Sequence, residues 1–342
     1  MSYDFSIILE AGVNHDGNKE RAFQLVESAA KSGADYIKFQ TYTSEKLAAK
    51  YSPSYWDLSE ESTTSQRELF SKYDGFKTQD YFELAAEANR LGIGFMTTCF
   101  DVDWVDALDS ILPQYKIASA DITNYSLLAH IARKGKPLLI STGAATFEEI
   151  HEAVRLVRDI SQAKISLLHC VLNYPTSPEN ASLARITRLI EEFPGIEIGY
   201  SDHTKPVDSF RAIQCAYDLG ARVFEKHFTW DSGGIGNDHY HSFTENEASV
   251  LISELNKNRL LLTYNDNDFL EVQEAARSFA RRGLYAKRDL QVGEVIRETD
   301  LIPLRPPIGP NGFFGNQIDS VIGRKVSLTI MAGDAILRNS VG

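Results

Sequence analysis

The sequence predicts a (β/α)8 barrel followed by a small β-rich domain. Three observations carry this. Eight short, mostly apolar runs alternate with eight helix-like stretches. Polar residues gather where each run ends, the end that carries sites in parallel α/β folds. After Asn265-Asp266-Asn267-Asp268 the pattern changes to brief β-like pieces around a Pro/Gly-rich loop, LRPPIGPNGFFG. An open doubly wound sheet is the alternative for the first part.

The runs are SIILEAG from Ser6, DYIKFQTY from Asp35, GIGFMTTCF from Gly92 and QYKIASAD from Gln114. KPLLISTG from Lys136, KISLLHCV from Lys164, IEIGYSDH from Ile196 and ARVFEKHF from Ala221 complete the set. Their near-continuous apolar character suits strands covered on both faces. Between and after them, helices are predicted over Lys19–Ser32, Gln79–Leu91, Asp103–Ser110, Leu127–Lys134, Phe147–Asp159, Leu183–Phe193, Val207–Tyr217 and Glu247–Leu262. Gly33, Gly92 and Gly220 stand where helices end, as C-cap chemistry asks. The stretch from Tyr42 to Thr78 is long and polar, with Trp56 and Tyr73, and reads as a lid or binding loop. The expected division is a barrel over 1–264, a linker over 265–277 and a second domain over 278–342.

Of the 342 residues 43% are hydrophobic, enough for a large core. With 35 basic and 47 acidic residues the net charge is −12, which argues against a nucleic-acid or anionic-membrane partner. No run approaches the ~20 apolar residues of a membrane span. The N-terminal tract MSYDFSIILEAG lacks a basic leader, so a cytoplasmic protein is expected. Cys99, Cys170 and Cys215 lack metal spacing and read as buried, reduced thiols.

The segment Tyr200 to Asp238 organises the chemistry. Two strands end in the polar knots Ser201-Asp202-His203 and Glu225-Lys226-His227. His203 and His227 therefore reach one barrel face. Two imidazoles make too few ligands for a closed structural zinc site but suit a catalytic divalent ion, manganese before magnesium. Asp238, His239 and His241 follow a Gly-rich loop and are placed at the same mouth. Lys38 and Lys116 lie inside apolar strands and need a counter-charge. Either Glu10 or Glu225 supplies it, or a bound phosphate or carboxylate does, with Thr98, Ser119, Ser141 and Ser201 as further donors. For His15, in AGVNHDG, a turn-stabilising or substrate role stands level with a catalytic one.

The ordered tracts LEAGVNHDG, IKFQTYT, KIASADITN, LLISTGA, LLHC-x-x-NYPT, GYSDHT, EKHFT and GNDH resemble the sialic acid (nonulosonate) synthase family. The segment RRGLYAKRDLQVGE to IGRKV is similar to that family's antifreeze-like (SAF) domain. The resemblance implies a (β/α)8 barrel enzyme with a C-terminal SAF domain. It implies condensation of phosphoenolpyruvate with an open-chain N-acyl hexose, such as N-acetylmannosamine or a 2,4-diacetamido-trideoxyhexose. Phosphate would leave by C–O cleavage. It also implies a homodimer whose small domain covers the partner's site.

By the same resemblance Lys38, Thr98, Lys116, Ser119, Ser141 and Ser201 would hold phosphoenolpyruvate. His203 and His227 would hold the metal. Glu10, Gln40, Asp121, Tyr174, Asp238 and Arg305 would face the sugar, and Glu10 would steer water or a proton. Three departures stand out. Leu172 occupies the place of a phosphate-contacting Asn, Asp121 replaces a Glu, and the loop Trp230–Ile235 differs from the sialic acid form. The rival readings are a 3-deoxy-ulosonate phosphate synthase, a non-catalytic sugar- or metal-binding barrel, and an ice- or carbohydrate-binding tail.

Overall fold

The structure is a computed structural model describing residues 4–342 apart from 57, 60, 235, 237 and 264. It divides into two compact units, Met1–Leu262 and Thr263–Gly342. The first is the expected barrel. Its strands are β1 (Ser6–Gly12), β2 (Tyr36–Thr41), β3 (Gly94–Cys99), β4 (Tyr115–Ile117), β5 (Leu138–Ser141), β6 (Ile165–Cys170), β7 (Glu197–Asp202) and β8 (Val223–His227). Their order is β3-β2-β1-β8-β7-β6-β5-β4, every hydrogen-bonded pair parallel, and β3 and β4 stand side by side at the seam.

Local chemistry starts and stops the helices. Asn18 caps the helix Lys19–Ser32 by accepting from the Arg21 N–H, and Gly33 closes it at φ 84°. Thr146 and Glu149 form a capping box on Phe147–Ile160. The helix Pro206–Asp218 begins on a proline, which needs no N–H partner there.

The pleat sorts the strand residues into layers. Ile8, Met96, Leu139, Leu168 and Val223 fill the barrel interior with an apolar plug. Two residues further along their strands come Glu10, Thr98, Ser141, Cys170 and Glu225, and on β2, where Tyr36 packs on the plug, Lys38. A stride of two keeps all of these on the inner face. The intervening residues, such as Leu9, Ile37, Phe95, Leu167 and Phe224, pack outward under the helices.

The same alternation separates the two polar knots. Ser201 and Glu225 share the inner face and are bonded to each other. Asp202 and Lys226 take the outer face, where Lys226 Nζ meets Asp202 Oδ2 at 2.8 Å and the Thr204 carbonyl at 2.5 Å. The Tyr200 hydroxyl donates to Asp202 at 2.8 Å. This ion pair is buried and serves the fold.

One expectation, the burial of Cys215, needs correction, and three others gain detail. The segment from Tyr42 to Thr78 carries helices Ser44–Leu47 and Gln66–Ser71, Pro53 bridges Ser65, and Tyr55, Gln66, Leu69, Phe70 and Tyr73 line the cavity described below, as a binding loop would. The Trp56 indole N–H donates to the Glu61 and Thr63 carbonyls, each at 3.1 Å. The stretch expected as a linker holds helices Asp266–Glu271 and Glu274–Phe279, and the boundary between the units falls just after Leu262. Cys215 is exposed, because Ser209, Ile213, Ala216 and Tyr217 form the buried face of its helix; Cys99 and Cys170 are buried as expected. His15 supports a turn, its Nδ1 accepting from the Gly17 N–H at 3.1 Å and its ring stacking on Phe76. Among the described residues no helix is long and apolar enough to cross a membrane.

The second unit is built on an antiparallel pair, β9 (Gly283–Ala286) with β10 (Leu301–Leu304). Single bridges extend it, and Leu284, Ile296, Phe313, Val326 and Ile336 are among its core residues.

Replacing Lys226 by Met is expected to cost about 3–5 kcal/mol, because Asp202 is left buried and unpaired. The double variant with Asp202→Leu should recover most of that loss in urea unfolding. Equal stability of the single variant and the wild type would show that the pair is not sealed from water.

Candidate active site

A cavity of about 430 Å³ opens at the C-terminal ends of the strands. Glu10, Lys38, Gln40, Thr98, Lys116, Ser119, Asp121, Ser141, Tyr174, Ser201, His203, His227 and Asp238 all line it. Thirteen of the fourteen predicted site residues thus share one space. The other, Arg305, lies in the second unit just after β10 and is exposed. The predicted loop difference at Trp230–Ile235 falls partly on residue 235, outside the described residues.

Glu225 is central to the floor. Its carboxylate accepts from Ser201 Oγ at 3.0 Å and lies 3.5 Å from Lys116 Nζ and 3.7 Å from Lys38 Nζ. Lys38 also touches the Glu10 carboxylate and donates to Thr98 Oγ1 at 3.1 Å. Gln40 donates to Glu10 Oε1 at 3.0 Å. Both lysines therefore have carboxylate partners, and both face the cavity. Ser141 Oγ is buried and has no hydrogen-bond partner among the described residues. Its orphaned hydroxyl suits an incoming acceptor.

Two glycines let this layer close. Gly12 has φ +51° at a register shift between β1 and β2, and a Cβ there would meet Glu10 Oε1 at 3.3 Å and Gln40 Nε2 at 3.4 Å. At Gly143 a Cβ would meet Ser119 Oγ at 2.8 Å; instead the Gly143 N–H donates to that oxygen at 3.0 Å.

The electrostatics follow from burial. Burial is the largest influence on Lys38 and pushes its ammonium down to about 7, against the pull of Glu225. Burial opposes the Glu225 carboxylate too, but Lys116, Lys38 and Ser201 overcome it and hold its pKa below the ordinary value. Burial raises Asp238.

The imidazoles form the opposite wall. His203 and His227 have ring centroids 5.4 Å apart, and Tyr174 lies against both, 4.2 Å from His203 and 6.1 Å from His227. His203 Nδ1 is engaged by the Val171 carbonyl at 2.7 Å, which leaves Nε2 as its ligand atom. His227 Nδ1 is buried without a hydrogen-bond partner among the described residues, 3.8 Å from Asp238 Oδ2. Burial holds His227 and His241 well below the usual imidazole range, the neutral form that ligates metals. The buried donors that lack partners, the neutral imidazoles and the adjacent carboxylate fit a divalent cation.

Some features were not foreseen. Cys170 Sγ lies 3.7 Å from His203 Nδ1. His169, at the end of β6, turns outward and bonds the Ala181 carbonyl through Nε2 at 2.8 Å. His239 is spent on Thr229 (2.7 Å) and Asp16 (3.1 Å). Leu172 lines the cavity, whereas Asn173 is exposed. Glu225 and Glu10, two of the counter-charges the sequence offered for the buried lysines, both take that place; Glu225 lies two residues before His227 and shares its face.

Fold and site together define a (β/α)8 barrel enzyme with a lysine-carboxylate floor and a histidine wall. Residues 25–266 match the NeuB family and residues 281–341 match the SAF domain. The chain belongs to the NeuB family. It is 35% identical to the N,N'-diacetyllegionaminic acid synthase of Legionella pneumophila over 97% of this chain and 93% of that one. It is 32% identical to the pseudaminic acid synthase of Campylobacter jejuni, over 96% and 94%. The crystal structure of N-acetylneuraminic acid synthetase from Leptospira borgpetersenii in complex with citrate superimposes with a TM-score of 0.69 at 31% identity. It covers 80% of this chain and 92% of that one.

Because burial depresses His227 and His241, the unfolded chain takes up protons first as pH falls through about 6.5. Stability of the metal-free protein is therefore expected to fall as pH drops from 7 to 5. Their rings should still be neutral where an ordinary imidazole is half protonated, near pH 6.5, in an NMR titration. Protonation of either ring at pH 6.5 or above would contradict the assignment.

Proposed function

We propose that the chain is a nonulosonic acid synthase that condenses phosphoenolpyruvate with an open-chain N-acylated amino sugar and releases phosphate. One observation carries this reading: Lys38, Lys116 and the orphaned Ser141 hydroxyl share a cavity with the histidine wall. The names of the relatives agree with it, since each synthase named above makes or is named for a nonulosonic acid. A 2,4-diacetamido-trideoxyhexose is the acceptor this reading favours over N-acetylmannosamine, on the name of the N,N'-diacetyllegionaminic acid synthase and on Asp121 in place of Glu.

Lys38, Lys116, Thr98, Ser119, Ser141 and Ser201 bind phosphoenolpyruvate. The lysines then turn from Glu10 and Glu225 toward phosphate oxygens, which accept stronger, charge-assisted bonds. Glu10, Gln40, Asp121, Tyr174 and Asp238 face the sugar. Arg305 reaches the acyl group of a sugar bound by the partner subunit of a domain-swapped homodimer. His203 and His227 would hold a divalent ion, manganese in preference to magnesium, which when bound would supply Lewis-acid polarisation of an aldehyde oxygen.

The chemistry balances with one water. Carbon 3 of the enol attacks the aldehyde carbon, and the aldehyde oxygen ends as a hydroxyl. Water adds at carbon 2 and gives up a proton, for which the Glu10 carboxylate is placed. The tetrahedral carbon then loses inorganic phosphate by C–O cleavage, leaving the 2-keto acid. Lys38 and Lys116 stabilise the departing charge. Positioning two substrates in one enclosed cavity supplies on the order of 7–11 kcal/mol. The buried thiols Cys99 and Cys170 accord with a reducing, cytoplasmic setting.

Leu172 removes one polar contact that an Asn would offer phosphate, while the remaining donors suffice in this reading. Phosphate release with manganese across a panel of N-acyl hexoses tests it. A product heavier than one sugar by a pyruvate unit is expected with a single sugar or a narrow group, and not with His227→Ala. Turnover by metal-loaded His227→Ala at the wild-type rate, or a sugar-phosphate as the best acceptor, would overturn the reading.

A further inference from the structure

Every other histidine near the cavity has a partner or opens onto it. His241 has neither. It is fully buried, and among the described residues neither ring nitrogen has a hydrogen-bond partner. A buried polar group left unsatisfied costs about 1–3 kcal/mol, so an apolar residue would serve the fold better there. The position needs a reason.

Local geometry supplies one. Asp238 precedes the 3-10 turn His239–His241, in which residues three apart eclipse each other. Asp238 and His241 therefore share one face, with His241 Nε2 and Asp238 Oδ1 4.0 Å apart. His239, between them, points elsewhere, onto Asp16 and Thr229. The end of β8 brings His227 to the same face, its ring centroid 4.8 Å from that of His241. One ligand atom each from His227, Asp238 and His241 fall within 4.8 Å of one another. Metal–nitrogen bonds of about 2.1 Å set ligand atoms roughly 3–4 Å apart, so a small rotation of these side chains completes the set.

We propose that His241 and Asp238 join His227 as ligands of the divalent cation, making it a nitrogen-rich, carboxylate-containing site. The proposal rests on the reading that His227 binds metal. A third imidazole moves the site along the Irving–Williams order: cobalt, nickel and zinc bind more tightly than manganese, and magnesium hardly at all. It also gives Asp238 a role beside the metal instead of against the sugar alone.

The test uses the whole protein and needs no phosphoenolpyruvate. Metal affinity is measured by competition with a chromogenic chelator for Mn²⁺, Co²⁺ and Zn²⁺, in wild type and in His241→Phe and His241→Gln. Phe keeps the volume beside Tyr174, so one variant folds even where burying an amide fails. Co²⁺ absorption reports the ligand field in each. The expected result is a loss of at least about tenfold in affinity, with a shifted Co²⁺ spectrum. In wild type, ¹⁵N imidazole signals of His241 should move on Zn²⁺ addition. Unchanged affinity and spectrum, or ¹⁵N signals of His241 that ignore Zn²⁺ while those of His227 respond, would overturn this inference and leave the proposed reaction standing. Wild type that binds none of these metals would overturn both the inference and the metal reading beneath it.

Discussion

A carboxylate held between two ammonium groups inside the barrel is the constraint the site depends on. Glu225 projects from β8 into a layer where water is scarce, and an isolated charge there is untenable. Lys116, Lys38 and Ser201 make it tolerable, and it makes the lysines tolerable in turn. Glu10 joins from β1, so the layer holds two positive and two negative groups. Such a set can be rearranged, because a lysine that leaves a carboxylate for a phosphate oxygen exchanges one anionic partner for another, and an anionic ligand beside Lys38 favours the ammonium that burial alone disfavours.

The balance has a consequence for binding. Phosphoenolpyruvate carries close to three negative charges at neutral pH, two on phosphate and one on carboxylate. A floor with no net charge offsets little of that by itself. A divalent cation held by the histidine wall, as proposed, would supply the missing positive charge within the same cavity, so phosphoenolpyruvate and metal should bind with mutual support. The global charge of −12 matters little at this range, since interactions between exposed charges are screened within about 8 Å.

The fold was legible because the strand pattern is strong. All eight strands and all eight barrel helices occur where the apolar runs and caps put them. Helix ends moved by one or two residues, as fraying and 3-10 turns make usual. The apolar plug was legible only in outline: Ile8 and Leu9 look alike in sequence, and the pleat alone decides which one faces in. Most predicted site residues share the cavity because strand ends in a barrel converge. Less legible were features set by contacts far apart in the chain. His169 and His203 both follow apolar runs, but β6 presents Cys170 inward and so turns His169 out. His239 and His241 share one short turn, and only contacts far apart in the chain show that His239 is spent on Asp16 and Thr229 while neither ring nitrogen of His241 has a partner among the described residues. Cys215 was misjudged because its helix has a mixed pattern with one exposed face.

Calorimetric titration of phosphoenolpyruvate into the manganese-loaded protein, wild type against Lys116→Met, tests the central claim most directly. Charge-assisted hydrogen bonds of about 1.5–3 kcal/mol predict affinity weakened about 10- to 100-fold in the variant. Binding of equal strength in both proteins would mean that the lysine–carboxylate floor serves the fold alone and that the anion site lies elsewhere.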